Sequence, residues 1–300
     1  MEHHETNAAR PEADAVVLFS GGLDSILAAR LLEDQGLRVR CLHFYSPFFG
    51  EPAAVAWWRR IYRLEIDAVD VGEEFCELLR QRPEHHFGKA LNPCMDCKIL
   101  LLRHARRHME RLGARIVATG EVLGQRPMSQ RRDALNVIRR DAGVEDVLLR
   151  PLSALCLPPI PAEEKGFVDR SRLLGISGRG RKEQLELARK YRLAHIPTPG
   201  GGCRLTEKGN ACRYWPVLRF LPRPVCTARV GVASRALSGG VTTDDIFDMV
   251  KNLREKTEIP LVFMTYLNPV FHYGYEAFFE RCQDVGIDGI IIPDLPFEEK

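Results

Sequence analysis

The apolar positions of this chain come in short runs separated by longer stretches of mixed character. Residues 15–19 read Ala-Val-Val-Leu-Phe without a polar break, 147–149 likewise have none, and stretches of strand length with interspersed polar residues recur at 38–44, 66–71 and 115–119. Runs of this length, apolar on both sides of the pleat, are strands covered on both faces. Between them lie longer segments of helical length at 25–34, 52–62, 73–80, 98–112 and 130–142, the fourth of which stops at Gly113. Strand and helix in strict alternation predict an α/β fold with an open, doubly wound parallel sheet. In such sheets ligands sit at the carboxyl ends of the strands. From Pro151 the pattern loosens. Pro158, Pro159 and Pro161 mark an extended segment, 182–191 reads as a helix, and 197–202 as a turn-rich loop. Beyond 222–228 a second series follows, with a helix at 242–257, a strand at 261–265, a helix at 275–285 and a strand at 289–292. Thr242, Thr243, Asp244 and Asp245 signal the start of its first helix. No internal repeat is visible.

The turn between the first strand and the first helix is Ser20-Gly21-Gly22-Leu23-Asp24-Ser25. A glycine-rich turn leading into a helix makes an anion cradle, because main-chain N–H groups and the helix dipole both face the incoming charge. Gly21 and Gly22 let the backbone approach closely, Ser20 and Ser25 add hydroxyls, and Asp24 can hold a magnesium ion against the phosphates. No lysine precedes the final serine, so this is not the Walker type of phosphate loop.

A second chemical feature is Asn92-Pro93-Cys94-Met95-Asp96-Cys97-Lys98, which opens a helix. The dipole at a helix start is expected to lower the thiol pKa values of such a C-x-x-C pair and favour thiolates. Cys203 follows Gly200, Gly201 and Gly202. The chain has nine cysteines, an odd and scattered set that suggests thiol or metal chemistry over a disulfide frame, with Cys41, Cys76 and Cys282 read as core packing.

Charge divides the chain. Residues 1–226 hold 36 basic and 28 acidic side chains, a net of +8, whereas 227–300 hold 7 and 12, a net of −5. A basic first part is compatible with a nucleic-acid partner. No apolar run is long enough to span a membrane. The polar start, residues 1–14, reads as a disordered tail without a signal core, which makes the cytoplasm the expected compartment. His104 and His108 stand four apart on a helix but lack a metal-site pattern.

Residues 20–25, as SGGxDS, resemble the PP-loop of the ATP pyrophosphatase superfamily, whose members cleave ATP between its α- and β-phosphates and adenylate a substrate. Thr119-Gly120-Glu121-Val122-Leu123-Gly124-Gln125, with Ser129-Gln130, is similar to a segment of tRNA 4-thiouridine synthetases, and Arg150-Pro151-Leu152 to the RPL that follows the next strand there. Asn92-Pro93 with Cys97 resembles the NPxxxC segment of tRNA 2-thiouridylases, and Gly201-Gly202-Cys203 falls where those enzymes carry a persulfide-bearing cysteine. The resemblance covers about residues 15–221. It implies an adenine nucleotide alpha hydrolase-like domain over 15–225 that thiolates tRNA, with ATP and Mg²⁺.

By the same resemblance, Ser20, Gly21, Gly22, Asp24, Ser25, Gly120 and Gln125 would bind ATP, and Asp24 would hold Mg²⁺. A uridine carbonyl oxygen would attack the α-phosphate, and sulfur would then displace AMP. The sulfur would come from a Cys203 persulfide resolved by Cys97, or Cys94, Cys97 and Cys203 would ligate a [4Fe–4S] cluster; three cysteines favour the cluster. Arg126, Arg131, Arg132, Arg181 and Lys182 are candidate tRNA contacts. The sulfur donor would be a cysteine desulfurase or sulfide. The accessory RNA-binding and sulfur-carrier domains of 4-thiouridine synthetases are missing. A PP-loop enzyme adenylating a small molecule is the alternative.

The acidic end carries a separate resemblance. Arg235-Ala236-Leu237-Ser238-Gly239-Gly240-Val241-Thr242, then Met264-Thr265-Tyr266-Leu267-Asn268-Pro269-Val270, and Asp288-Gly289-Ile290-Ile291-Ile292-Pro293-Asp294 are similar to the tryptophan synthase α chain, a (β/α)8 barrel. The part from 226 to 300 lacks the catalytic carboxylates and the later phosphate-binding loops of that family. It is expected to be a partial barrel fragment without lyase activity, its strands partly exposed; a lyase acting on indole-3-glycerol phosphate, or a docking module for the tryptophan synthase β chain, is the competing and less favoured reading.

Overall fold

A computed structural model describes residues 11–197, 203–207, 209, 214 and 242–292. The first ten residues of the expected tail, 200–202, 222–228, most of the 235–242 motif and 293–296 lie outside the described residues. The chain divides into two compact units, Met1–Arg229 and Val230–Lys300.

In the first unit, β1 (Ala15–Leu18), β2 (Val39–Tyr45), β3 (Glu65–Asp70), β4 (Ile116–Thr119) and β5 (Leu148–Leu149) form one sheet in the order β3-β2-β1-β4-β5. Every pairing is parallel, with Ala15 beside Val39 on one flank and beside Ile116 on the other. Successive side chains of β1 supply opposite faces. Val17 joins Ile26, Ala29 and Leu32 of α1 (Leu23–Glu33) and Trp58 and Tyr62 of α2 (Val55–Tyr62). Val16 and Leu18 join Ile99, Leu102, Ala105 and Met109 of α4 (Cys94–Arg111) and Ile138 of α5 (Arg132–Asp141). Helices thus cover both faces, as the fully buried central strands β1 and β4 require.

The chain winds outward from β1 in one direction and from β4 in the other. Ser20–Ser25 and Thr119–Gln125 therefore leave the sheet side by side at the point where the strand order reverses, the place where a crevice opens in this class of sheet.

Several local readings differ from expectation. The helix expected at 52–62 is a single 3₁₀ turn, Pro52–Ala54, before α2. The helix expected at 98–112 begins four residues earlier, because Pro93 fixes the first turn and Cys97 donates its N–H to the Pro93 carbonyl at 2.7 Å. The extended 158–161 segment ends in a short helix, α6 (Pro161–Glu164), started by Pro161. Between β3 and α4 lies α3 (Gly72–Gln81), and α7 (Lys182–Lys190) follows α6.

In the second unit, Thr242 caps the helix Thr243–Arg254 through a reciprocal pair with Asp245. Two parallel strands, β6 (Val262–Met264) and β7 (Gly289–Ile291), flank the helices Leu267–Tyr273 and Tyr275–Asp284. The first of these has no counterpart among the expected elements; Pro269 sits in its first turn, where its missing N–H costs nothing. Phe247, Val250, Val270, Phe278, Cys282 and Val285 make its core. Val262, Met264 and Ile291 stay exposed on the strands. This is a fragment of a β/α barrel wall.

Candidate functional site

The glycine turn is held by its own serines. Ser25 Oγ donates to the Gly22 carbonyl at 2.8 Å and accepts the Ser20 N–H at 3.2 Å, while the Gly22 N–H donates to Ser20 Oγ at 3.3 Å. The main-chain N–H groups of Gly21, Leu23 and Asp24 have no partner among the described residues. They form a cluster of donors at the start of α1, suited to an anion. Gly21 has φ of +79°, and a Cβ there would lie 2.5 Å from the Trp58 ring. The turn needs glycine on both counts.

Trp58 is placed by Phe19 and His43, whose rings meet it edge to face at 5.5 and 4.8 Å. His43 is buried and locked in one tautomer. Its Nε2 accepts the Glu51 N–H at 2.9 Å, so the proton sits on Nδ1, 3.0 Å from the Phe19 carbonyl. Burial holds the His43 pKa below its ordinary value.

Asp24 faces the same space. One carboxylate oxygen accepts from Gln125 Nε2 at 3.1 Å; the other, Oδ1, is buried with no partner. Burial raises its pKa above the usual carboxylate value, and Gln125, Arg181, Arg126 and Gln184 pull the other way without overcoming it. An orphaned, half-buried carboxylate oxygen beside unpaired N–H groups fits a divalent cation that accompanies phosphate. Gly120 belongs here for a different reason than expected. A Cβ on it would lie 2.4 Å from the Asp24 carbonyl carbon and 2.5 Å from the Ser25 nitrogen, so it is a spacer against which the loop rests.

Behind Gly120, Glu121 is fully buried. Its Oε2 accepts from Arg150 Nε at 3.1 Å and from Thr119 Oγ1 at 3.2 Å, and Lys98 Nζ lies 3.6 Å from Oε1. Burial alone would raise its pKa, but Lys98 and Arg150 outweigh that and hold the carboxyl below its ordinary value. Lys98 follows Cys97 on α4, so this network joins the nucleotide loop to the thiols.

The three cysteines approach one another. Cys97 and Cys203 pack against one apolar cluster, with Phe48, Phe75, Leu79, Leu91 and Leu205. Two main-chain bonds bring the distant Cys203 segment in, from the Arg204 N–H to the Phe48 carbonyl and from the Leu91 N–H to the Leu205 carbonyl. Cys94 accepts from Asn92 Nδ2 at 3.1 Å. Buried Asp96 pins the preceding loop by accepting the Glu84 and His85 N–H groups.

The expectation of an acidic thiol fails at Cys97. Cys97 retains some exposed surface, yet burial first, and the neighbouring Cys203 second, push its thiol up to about 12. Burial pushes Cys203 up to about 11. The apolar cluster outweighs the helix dipole, which acts only over its first turn. No three His, Cys, Asp or Glu side chains converge as a metal-holding group among the described residues. Cys41, Cys76 and Cys282 are buried, as expected of core residues.

The basic residues separate into two sets. Arg126 and Arg181 act on Asp24 and so face the loop. Arg131 pairs with Asp133 at 3.1 Å on the surface, and Arg132 donates to the Cys156 carbonyl at 3.1 Å. Lys182 is exposed at the start of α7. His104 Nε2 lies within hydrogen-bond distance of Glu74, at 2.6 Å. Sequence reasoning missed Gln184, Trp58 and His43. A glutamine within an amphipathic helix and an aromatic within an apolar stripe carry no sign of where they point.

Residues 11–156 match the family model described as thiamine biosynthesis protein (ThiI), and residues 230–300 match that of the tryptophan synthase alpha chain. Curated relatives agree on the second segment. The tryptophan synthase alpha chain of Alkaliphilus metalliredigens is 59% identical over 68 residues, 23% of this chain and 26% of that protein. That of Phocaeicola vulgatus is 51% identical over 67 residues, 22% and 26% of the two chains. The chain thus spans about a quarter of the length of these relatives. Among solved structures, a predicted subunit of tRNA methyltransferase from Methanocaldococcus jannaschii shares 16% identity. That likeness covers 45% of this chain and 67% of that one, at a TM-score of 0.34, too low to speak for the fold.

Proposed function

From a chain with a ThiI-family domain at 11–156 and a tryptophan synthase alpha segment at 230–300, we propose that the first unit is an ATP-dependent enzyme of tRNA thiolation. In this reading it adenylates a uridine carbonyl oxygen, releases pyrophosphate and replaces AMP by sulfur. The observation that carries it is the lysine-free turn whose unpaired N–H groups and half-orphaned Asp24 carboxylate face one space beside Arg126 and Arg181.

The turn N–H groups and Arg126 and Arg181 bind the phosphates of ATP; Ser20 and Ser25 keep the turn in shape. Asp24 would hold Mg²⁺, which supplies charge neutralisation on the leaving pyrophosphate. Gln125 fixes the Asp24 carboxylate, and Gly120 sets the height of the loop. Lys98, Glu121 and Arg150 hold α4 to β4 and β5, so that the thiols keep their distance from the nucleotide. Arg131, Arg132 and Lys182 remain candidates for tRNA phosphates at the surface.

For sulfur, we favour the pair Cys97 and Cys203, which pack against one apolar cluster, over an iron–sulfur cluster. Sulfide, where it is the source, attacks the activated carbon directly; a cysteine desulfurase instead passes the outer sulfur of its own persulfide to the Cys203 thiolate and is left as a thiolate. The terminal sulfur attacks the activated carbon, and AMP leaves with the oxygen. Cys97 then gives up its proton and attacks the Cys203 sulfur. The C–S bond to the nucleoside stays, the S–S bond of the persulfide breaks, and a Cys97–Cys203 disulfide forms that an external thiol reduces.

We assign this activity to residues 15–225 and a partial, inactive barrel to 226–300; of the expected tail 1–14, Ala13 is buried in the core of the first unit and Asp14 pairs with Arg38 at 2.8 Å. The cytoplasm is the proposed compartment; no helix among the described residues is long and apolar enough to cross a membrane. Incubation with α-labelled ATP, tRNA and a sulfide source tests the assignment. AMP and pyrophosphate with a thiouridine in the digested tRNA is the expected result; ADP and orthophosphate would refute it.

A further inference from the structure

Helix α7 lies beyond the segment that matches the ThiI family model, which ends at residue 156. It runs beside α1 in the same direction. Arg181, which precedes it, acts on Asp24 at the start of α1; Ala188 packs with Leu23, Leu27 and Leu31; and Tyr191 Oη donates to Asp34, just past the end of α1, at 2.7 Å. Two helix N-termini therefore open on the same space, and their dipoles add there.

One turn before Ala188, on the same face, stands Gln184. It is 0% exposed, and neither Nε2 nor Oε1 has a hydrogen-bond partner among the described residues. Its amide lies near enough to Asp24 to favour the charged carboxylate, without completing a bond to it. Asp24 Oδ1 is orphaned beside it. Buried amides are ordinarily paired, and an unpaired one costs stability that a ligand can recover. Two neighbouring buried groups in want of partners, below two converging helix ends, describe a place built for something anionic that brings its own cation.

We propose that the start of α7, through Gln184 with Arg181, is the second jaw of the nucleotide site and grips the pyrophosphate portion of ATP with its metal ion. The Gln184 N–H donates to a phosphate oxygen, and its carbonyl oxygen accepts from water on the cation. The inference rests on the ATP reading above and goes beyond it, since it assigns the pyrophosphate end to a helix outside the matched segment.

Isothermal titration of the full chain with Mg-ATP, with Mg-pyrophosphate and with AMP tests it, alongside thermal melting without ligand. Gln184→Leu keeps the bulk and removes both polar atoms. It should weaken Mg-ATP and Mg-pyrophosphate by about tenfold or more, since hydrogen bonds to charged groups are the strong ones. AMP binding should stay within about twofold, and the unliganded protein should melt no lower, because an apolar group replaces an unpaired polar one. Gln184→Glu, which sets a second carboxyl beside Asp24, should weaken Mg-pyrophosphate and spare AMP. Unchanged pyrophosphate affinity in either variant would overturn the proposal. So would an equal loss of AMP binding with a lower melting temperature, the mark of a purely structural residue. A wild-type chain that binds none of the three ligands would refute the ATP reading itself.

Discussion

A single methyl group tests how tightly β4 presses on the nucleotide turn. In Gly120→Ala the new Cβ would sit 2.4 Å from the Asp24 carbonyl carbon, and main chain cannot swing aside as a side chain can. The expected cost is about 1–3 kcal/mol in urea unfolding, as for other overpacked sites, together with weakened ATP binding. Arg150→Met should cost more. It leaves Glu121 buried with Lys98 as its remaining ion-pair partner, at 3.6 Å, and breaking one side of a buried ion pair typically costs about 3–5 kcal/mol. His43 provides a pH test of the same region. Its pKa is depressed on folding, so the unfolded chain takes up a proton first as the medium is acidified. The contribution of His43 is whole above its ordinary value of 6.5 and is lost as the pH falls below it. Protonation of Nε2 forfeits the bond from the Glu51 N–H. His43→Gln should flatten that part of a stability–pH curve measured by denaturant midpoints. Of these three residues only Gly120 and Arg150 stand in motifs that the sequence displays; His43 is one polar letter in an apolar run.

At the level of elements, the strands were legible from short apolar stretches of strand length, and parallel winding follows from the helices between them; the order β3-β2-β1-β4-β5 was not. Boundaries were less legible: Pro93 starts α4 four residues before the amphipathic pattern becomes regular. The C-x-x-C at that start shows where local reasoning stops. A dipole argument sees only the helix, whereas Phe48, Phe75 and Leu205, from three separate segments, decide how much water reaches the sulfur. With thiols at about 12 and about 11, Cys97 and Cys203 should be alkylated slowly by iodoacetamide at neutral pH. Their rates should rise about tenfold per pH unit until the respective values are reached, because only the thiolate reacts. Peptide mapping of the labelled chain follows each residue separately. A plateau already at pH 7 would mean that the dipole governs after all. Gln184 was illegible for a related reason: helical periodicity puts it on the inward face, but nothing in the sequence says that the inward face meets Asp24.

At the level of the whole chain, two compact units carry opposite charge, basic in the first and acidic in the second. Each has its own buried cluster, so the second should not be needed for the first to bind nucleotide. Its own chemistry is constrained by geometry. A β/α barrel places its catalytic groups at the carboxyl ends of several strands around a closed ring, and the two described strands of this unit pair only with each other. Val262 at 53% and Met264 at 68% exposure are the apolar side chains that neighbouring barrel elements would ordinarily bury. A chain ended at Arg229 should therefore bind ATP within about twofold of the full chain and bind less of a hydrophobic dye, since the exposed apolar strands are gone. The full chain should release no indole from indole-3-glycerol phosphate. If truncation abolished ATP binding while the shortened protein still melted cooperatively, the second unit would have to contribute to the nucleotide site, and the division of labour drawn between the two units would fall.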